Sequence, residues 1–265
     1  NRLQDLGGAY RLDAQGRVWA LSFHRCPLND GDLEILQSLP EVRTLNLRGV
    51  SVVGGRLSVK GMQPLASLQN LRRLDLSMNH QFTGRLDSIA SLPQLEFLDL
   101  RGTGLGDEAI QSVARMPRLR TLLLGHSALT ERGLKALSGS SLTQFDYWLR
   151  GDQDVALLGG LKKLQIWFVG YGNVPVSRLG EFAGCDQLQE VTLTCDGVEC
   201  PVQSMSALRS MRSLKRLQIS GPADAEWPVL AALDGLVELN ALRLVGIGDR
   251  ALRQLPPLES LQTLD

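Results

Sequence analysis

The sequence lacks a net charge and any long apolar run. Its 28 basic residues balance 28 acidic ones over 265 residues, so no charge excess favours nucleic acid or an anionic membrane surface as a partner. No apolar stretch reaches the roughly 18 residues that a membrane-spanning helix requires. We therefore expect neither nucleic-acid binding nor membrane insertion.

Groups suited to catalysis or metal binding are also scarce. The three histidines, His24, His80 and His126, are widely separated, and no GxSxG, GxxxxGK[ST] or HExxH motif occurs. Asp75 and Asp99 are expected on adjacent strands, but flanking arginines would neutralise this carboxylate pair. The sequence thus predicts no catalytic residue, cofactor or metal site, and a protein that is not an enzyme.

Cysteine is limited to four residues. Cys26 and Cys185 fall at interior positions of the repeat described below, where a free thiol behaves as a small apolar side chain. Cys195 and Cys200 lie close together in TCDGVEC. A local disulfide between them is compatible with an oxidising compartment and two free thiols with a reducing one, so the pair stays open at this point.

What the sequence has in abundance is a repeat with leucine at relative positions one, four and six. It is clearest in LRRLDLSMN from Leu71, LEFLDLRGT from Leu95 and LRTLLLGHS from Leu119, whose starts are 24 residues apart. Comparable segments begin at Val18, Val42, Leu142, Leu164, Leu188, Leu214 and Leu239, and Leu261 opens an incomplete one. About ten units of roughly 22 to 29 residues are therefore predicted over residues 18–265.

Each unit combines two hydrophobic periods. Leu74-Asp75-Leu76 alternates as a strand does, whereas Ile89, Leu92 and Leu95 are three apart, as on one face of a helix. Helix starts are indicated by two N-cap residues, Asn29 and Thr130, and helix ends by Pro40, Pro93, Pro117 and Pro256. One strand and one short helix cannot bury these leucines alone. The units must therefore stack, with a parallel sheet on one side and helices on the other.

This pattern resembles the leucine-rich-repeat superfamily over residues 18–265. GLKALSGS after Thr130 and DLEILQSLPE after Asn29 resemble the subclass, common in bacterial proteins, with units of about 24 residues and true helices. The resemblance implies an α/β fold, a right-handed solenoid with a curved parallel β-sheet on the concave side and helices on the convex side. It also implies a binding function, mostly toward proteins.

The resemblance further implies that position nine of each unit carries Asn, Thr or Cys, whose polar atom bonds the backbone of a neighbouring loop. Cys26, Asn79, Thr103 and Ser127 conform, Ser127 being a close substitute, but Val50 does not, nor do most of the units after Ser127. We therefore expect less regular loops in the second half of the chain.

Residues 1–17 precede the repeat and do not follow it. Residues 9–12, a DAQG turn and residues 17–23 predict a β-hairpin that is completed by the first repeat strand. Such a hairpin would cap the open end of the first unit. No equivalent cap is visible after Leu261, as expected if the sequence is a fragment of a longer protein.

Strand positions three, five and seven point away from the interior, with position eight at the rim. In the first units these positions are mostly polar, with charges of alternating sign: Thr44, Asn46, Arg48, Arg73, Asp75, Ser77, Asp99 and Arg101. The middle units instead predict an apolar patch of eight residues: Phe97, Leu123, His126, Trp148, Leu149, Ile166, Phe168 and Tyr171. Since apolar surface left in water forgoes burial energy, we interpret this patch as a partner-binding site.

Other interpretations of the apolar patch are open. The patch could equally form a contact between two copies of the chain, or be covered by a segment of the protein outside this sequence. A register shift of one residue would instead turn Trp148 inward. Our first hypothesis for function is a non-catalytic scaffold that binds another protein. Carbohydrate recognition is the second, because Trp148, Phe168 and Tyr171 can stack on sugar rings. The third is the substrate-recognition arm of a larger enzyme whose catalytic domain is absent from this sequence.

Overall fold

The computed structural model describes residues 2–125, 127, 129–147, 152–161, 163–168, 174–182, 184–194, 203–221 and 228–265. The chain forms two compact units, Asn1–Leu142 and Thr143–Asp265, and each is described by itself. In each unit, strands on one side and short helices on the other enclose an interior made mostly of leucine. Stacked strand–helix repeats of this kind make the fold a leucine-rich-repeat solenoid, as the sequence predicts.

The sheet of the first unit is built from strands that follow one another in chain order: β1 Ala9–Leu12, β2 Val18–Ser22, β3 Thr44–Asn46, β4 Arg73–Asp75, β5 Phe97–Asp99 and β6 Thr121–Gly125. Strands β1 and β2 form the predicted antiparallel hairpin, and β2 to β6 pair in parallel. One leucine from each parallel strand stands in direct register with the next, and all are buried: Leu21, Leu45, Leu74, Leu98 and Leu122. This row holds the repeats in register. Whether residues 1–17 act as a separate capping domain stays a prediction.

The helices of the first unit are of two kinds. α-Helices span Arg2–Asp5, Asp87–Ala90, Asp107–Val113 and Glu131–Leu137, whereas 3-10 helices span Asp30–Ser38, Ser51–Val53 and Lys60–Ser67. The expectation of a true helix after Asn29 is therefore wrong. Leu33 and Leu36 are both fully buried and three residues apart, which matches the three residues per turn of a 3-10 helix better than the 3.6 of an α-helix.

Both predicted N-cap residues directly precede a helix. The Thr130 hydroxyl accepts a hydrogen bond of 3.2 Å from the backbone N–H of Arg132. At the other start, the Asp32 carboxylate accepts one of 2.9 Å from the backbone N–H of Asn29. These bonds satisfy backbone groups that a helix end would otherwise leave unpaired.

The second unit repeats the arrangement with strands β7 Gln144–Tyr147, β8 Ile166–Phe168, β9 Val174–Pro175, β10 Glu190–Thr194, β11 Arg216–Ser220, β12 Ala241–Val245 and β13 Thr263–Leu264. All pair in parallel; β9 pairs with β10 beside the main order β7, β8, β10, β11, β12 and β13. Their helices are Asp152–Leu158, Val176–Phe182, Gln203–Ser210, Pro228–Gly235 and Asp249–Leu252, of which the second and fourth are 3-10 helices. Phe145 and Tyr147 are fully buried, as the predicted register of the Leu142 unit requires.

The cysteine predictions are met where the structure describes them. Cys26 and Cys185 are buried free thiols. Cys26 donates to the backbone carbonyl of Gly7 at 3.2 Å, so it joins the first repeat to the segment before the hairpin. Cys195 and Cys200 lie outside the described residues, as do most of the later loops that were expected to be less regular.

Candidate binding surface on the sheet

The outward side of strands β3 to β6, opposite the helices, is called the sheet face below. Parallel pairing aligns its side chains in two rows. One row contains Thr44, Arg73, Phe97 and Thr121, and the other contains Asn46, Asp75, Asp99 and Leu123. Neighbouring parallel strands lie about 4.8 Å apart. Residues distant in sequence thus become adjacent on a backbone that secondary structure holds in place.

Phe97 is half-buried on the sheet face because Arg73 covers it. The guanidinium carbon of Arg73 lies 4.0 Å from the centroid of the Phe97 ring, and the two residues are in register on adjacent strands. The ring quadrupole attracts the cation, and the contact orders a side chain that would otherwise be mobile. An arginine and an aromatic ring are therefore presented together.

Two side chains predicted to face solvent are buried instead. The exposed fractions of Asp99 and Ser77 are 2% and 1%. Arg101 folds back over Asp99 and donates to its carboxylate from Nη2 at 2.6 Å and from Nε at 3.0 Å. Ser77 Oγ donates to Asp75 Oδ1 at 2.6 Å. The side chains leave the strand on the predicted side, but short polar contacts within one unit remove them from water.

The predicted apolar patch is described only in part. Phe97 and Leu123 both lie half-buried on the sheet face. Ile166 and Phe168 lie in β8, where their backbones are in register with Gln144 and Asp146 of β7; their side chains lie outside the described set. Four further residues lie entirely outside the described residues, backbone included: His126, Trp148, Leu149 and Tyr171. The structure thus places Phe97 and Leu123 on one face, and the patch as a whole stays a prediction.

A feature that the sequence did not reveal lies at position eight of the first four units, after their strands. The backbone there is left-handed, with φ of 55° at Arg25, 67° at Gly49, 62° at Met78 and 65° at Gly102. Glycine adopts this conformation freely, but for other residues it costs about 1–2 kcal/mol. Arg25 and Met78 therefore occupy positions that favour glycine.

The glycines in this series make room for the larger residues. A Cβ on Gly49 would come within 3.3 Å of Arg25 Cγ, and a Cβ on Gly102 would lie 3.0 Å from Met78 Sδ. Each large side chain thus extends over the glycine of the following unit. In the first four units, a large residue and a glycine alternate at position eight of the sequence, and this alternation could have indicated the packing.

Arg25 and Met78 border a hollow of about 410 Å³ at the carboxyl ends of β2, β3 and β4. Its lining comprises His24, Arg25, Asn46, Arg48, Gly49, Val52, Asp75 and Met78. Asn46 Oδ1 accepts a hydrogen bond of 2.9 Å from the backbone N–H of Arg48, which ties the two lining residues together. The hollow adjoins the sheet face because Asn46 and Asp75 belong to both.

Two kinds of site find no support in the residues that the structure describes. Within those ranges, no three His, Cys, Asp or Glu side chains are grouped so as to hold a metal ion. Nor does any described helix combine the length and apolarity needed to cross a membrane.

The titratable groups with shifted pKa values on this part of the chain are structural. Burial raises the pKa of the Cys26 thiol. A hydrogen bond from Arg85 lowers the pKa of Asp87, with a further contribution from Ser112. Asp13, in the hairpin turn, has its pKa lowered chiefly by the backbone N–H of Arg17. None of these groups belongs to the sheet face or lines the hollow.

Comparison with known proteins agrees with the fold. A family model described as a leucine-rich repeat matches residues 92–114, and no curated protein matches the chain. The chain is similar to an internalin, InlF, from Listeria monocytogenes, with 20% identity over 88% of this chain and 69% of that one and a TM-score of 0.55.

A second similar structure is the ectodomain of the Arabidopsis receptor kinase HAESA in complex with an N-terminally extended IDA peptide hormone. Identity is 19% over 97% of this chain, and the TM-score is 0.58. The match spans only 43% of that ectodomain, and identities this low concern the fold alone. Taken with the repeat pattern and the matched repeat, these similarities show that the chain has the leucine-rich-repeat fold.

Proposed function

We propose that the chain is a non-catalytic scaffold that binds another protein on the sheet face. The observation that carries the proposal is the side-by-side placement of Arg73, Phe97 and Leu123 on three neighbouring strands, on the side away from the helices. Arginine and aromatic side chains are enriched among the residues that contribute most to protein interfaces. The remaining residues of the predicted apolar patch, among them Trp148, Phe168 and Tyr171, stay a separate prediction of partner contacts.

The form of the surface favours a macromolecule over a small molecule. Its side chains come from successive strands in direct register, so the contacts are spread along the stack instead of converging on one deep cavity. The HAESA ectodomain, which has this fold, is seen in complex with a peptide hormone. That use of the fold supports a protein or peptide partner here. We also assign the units to the bacterial-type subclass, on their length and helical segments.

Affinity capture with the full chain tests the proposal. Immobilised wild-type chain is used to capture partners from a lysate of the source organism, beside two variants with the same chemical change. Arg73→Glu reverses a charge on the sheet face, and Arg115→Glu reverses an exposed arginine next to the helix Asp107–Val113. We expect a partner protein to be retained by wild type and Arg115→Glu and reduced at least tenfold by Arg73→Glu.

Two results would contradict the proposal. Equal capture by both variants would place the binding site away from the sheet face. Binding of the full chain to a glycan array, competed by the captured material, would favour carbohydrate recognition instead. The third hypothesis, a recognition arm of a larger enzyme, uses the same surface and therefore makes the same prediction for Arg73→Glu.

A further inference from the structure

We propose that the hollow at the ends of β2, β3 and β4 binds a carboxylate group of the partner, next to an aliphatic side chain. This inference rests on the proposed function and deepens it, since it assigns a chemical class to one part of the bound protein. It is carried by the charges of the hollow, by its apolar wall and by the strained backbone at its edge.

The charges of the hollow are incompletely neutralised. Arg25 and Arg48 both line it, and neither guanidinium has an ion-pair partner within the described residues. The one carboxylate in the lining, Asp75, accepts hydrogen bonds from the backbone N–H of Ser77 at 2.9 Å and from its hydroxyl at 2.6 Å. Two guanidinium charges against one carboxylate leave a net charge of about +1, with His24 beside them.

This balance favours a carboxylate over a phosphate. Guanidinium groups bind planar carboxylates through two parallel hydrogen bonds, which a single ammonium cannot do. A phosphate monoester would bring nearly two negative charges close to Asp75, and the repulsion would offset much of the gain. A singly charged carboxylate instead matches the net charge that the hollow presents.

Part of the lining of the hollow is apolar. Val52 and Met78 line it with exposed fractions of 48% and 36%. Each loses hydrophobic free energy while it faces water, and an aliphatic side chain of a ligand would recover part of it. A volume of about 410 Å³ lies at the lower end of the roughly 300–1,000 Å³ typical of ligand sites. It therefore suits a short segment of a partner.

Two residues at the edge of the hollow have a strained backbone. Arg25 and Met78 hold the left-handed conformation that glycine occupies at the same position in the alternate units. Such strain is found preferentially at ligand sites. Gly49, between them in the stack, contributes only backbone to the lining, and the side chain of Arg25 extends over it. Position eight thus supplies a cationic and an apolar side chain to the lining of the hollow, each on a strained backbone.

Fluorescence polarisation with the full chain tests the inference. The probes are three pools of labelled random heptapeptides rich in aliphatic residues. The first pool has free carboxyl termini and no acidic residue, the second has amidated termini and one internal Asp or Glu, and the third has amidated termini and no acid. We expect binding by the first or second pool and at least tenfold weaker binding by the third. The better of the first two shows whether the carboxylate is a chain end or a side chain.

Variants connect this binding to the hollow. The double variant Arg25→Gln, Arg48→Gln should bind the best pool at least tenfold more weakly than wild type does. Arg212→Gln with Arg253→Gln removes two exposed arginines of the second unit and should change little. Arg25→Gly serves as a second variant, because it removes a guanidinium while leaving the left-handed backbone unstrained.

Three outcomes would overturn the inference: equal binding of all pools, no binding by any pool, or undiminished binding by the Arg25→Gln, Arg48→Gln variant. The two proposals also fail separately. Suppose that the Arg25→Gln, Arg48→Gln variant captures the protein partner as wild type does, whereas Arg73→Glu does not. The partner then binds the sheet face without using the hollow. If no variant or wild-type chain captures a partner, the proposed function itself fails.

Discussion

The side-chain amide of Asn79 donates a hydrogen bond of 2.8 Å to the backbone carbonyl of Leu47, which belongs to the preceding unit. The same amide donates to the carbonyl of Leu76 at 2.8 Å, and its oxygen accepts from the N–H of Ser51 at 3.1 Å. Asn79 is fully buried. One side chain thus satisfies backbone groups in two consecutive turns, as the position-nine pattern predicts.

Replacing Asn79 by alanine should therefore destabilise the chain strongly. Each buried backbone group left without a partner costs about 1–3 kcal/mol, so we expect a loss of about 3 kcal/mol in the free energy of unfolding. Asn70→Ala is the control, because Asn70 is exposed and its single bond to the Pro40 carbonyl, 3.2 Å long, can be replaced by water. Urea unfolding followed by circular dichroism measures both. Similar losses in the two variants would contradict the role of Asn79.

The leucine row makes a second stability prediction. Leu98 is fully buried between Leu74 and Leu122, and Leu98→Ala should lower the free energy of unfolding by roughly 2–5 kcal/mol. Val237 is 68% exposed, so Val237→Ala should change it by less than about 0.5 kcal/mol. The same urea titrations compare the pair, and a loss below about 1 kcal/mol at Leu98 would be inconsistent with a packed row.

The left-handed residues at position eight predict opposite effects for two reciprocal changes. Arg25→Gly relieves backbone strain and should raise the free energy of unfolding by about 1 kcal/mol. Gly49→Ala introduces the same strain and brings a Cβ within 3.3 Å of Arg25 Cγ, so it should lower the free energy by about 1–2 kcal/mol. Thermal and urea unfolding measure both. Destabilisation by Arg25→Gly would show that the arginine is held by contacts that outweigh the strain.

The Arg85–Asp87 pair predicts a dependence of stability on pH. Arg85 Nε donates to Asp87 Oδ2 at 2.8 Å and Nη2 to Oδ1 at 3.0 Å, which lowers the pKa of Asp87 in the folded chain. A carboxylate with a lowered folded pKa stabilises the chain above its unfolded pKa, near about 3.9, and this contribution is lost as the pH falls through the folded value.

Asp87→Asn isolates this effect. Wild type should be more stable than the variant at pH 7, and the difference should vanish as the pH is lowered below about 4 through the folded pKa. Urea midpoints at a series of pH values provide the measurement. A difference that is independent of pH would mean that the hydrogen-bond geometry matters and the charge of Asp87 does not.

Buried thiols make a prediction about reactivity. Cys26 and Cys185 are free and buried, and burial raises the pKa of the Cys26 thiol, which lowers the thiolate fraction that reacts with alkylating reagents. We expect iodoacetamide to leave both unmodified in the folded chain and to modify both in urea, as read by peptide mass spectrometry. Rapid labelling of Cys26 under native conditions would contradict the contact between its thiol and the Gly7 carbonyl.

The fold could be predicted because large apolar residues, mostly leucine, alternate and recur at the repeat positions throughout the first unit. Leu45, Leu74 and Leu98 are buried in register because a strand with a period of two allows only one set inside. The 3-10 geometry was missed because a three-residue spacing was attributed to an α-helix. The burial of Asp99 depends on the rotamer of Arg101 two residues later, and no pattern of residue types specifies that.

The candidate surface was predictable to a smaller extent. Phe97 and Leu123 lie on the expected face, but the cover that Arg73 gives to Phe97 follows from inter-strand distances and not from sequence spacing. The hollow was missed because its residues come from the ends of three different strands and from the segments that follow them, and its edge depends on backbone angles at Arg25 and Met78. Trp148 and Tyr171 remain predictions that the binding experiments address.

The alternation at position eight has a consequence for building with these repeats. Since Arg25 lies over Gly49 and Met78 lies over Gly102, the interchangeable module in this stretch is two units long. Excising or duplicating a single unit would set two bulky residues, or two glycines, side by side, and would produce either a clash or a gap. Grafts and deletions should therefore comprise two consecutive units, either Val18 to Asn70 or Leu71 to Arg118.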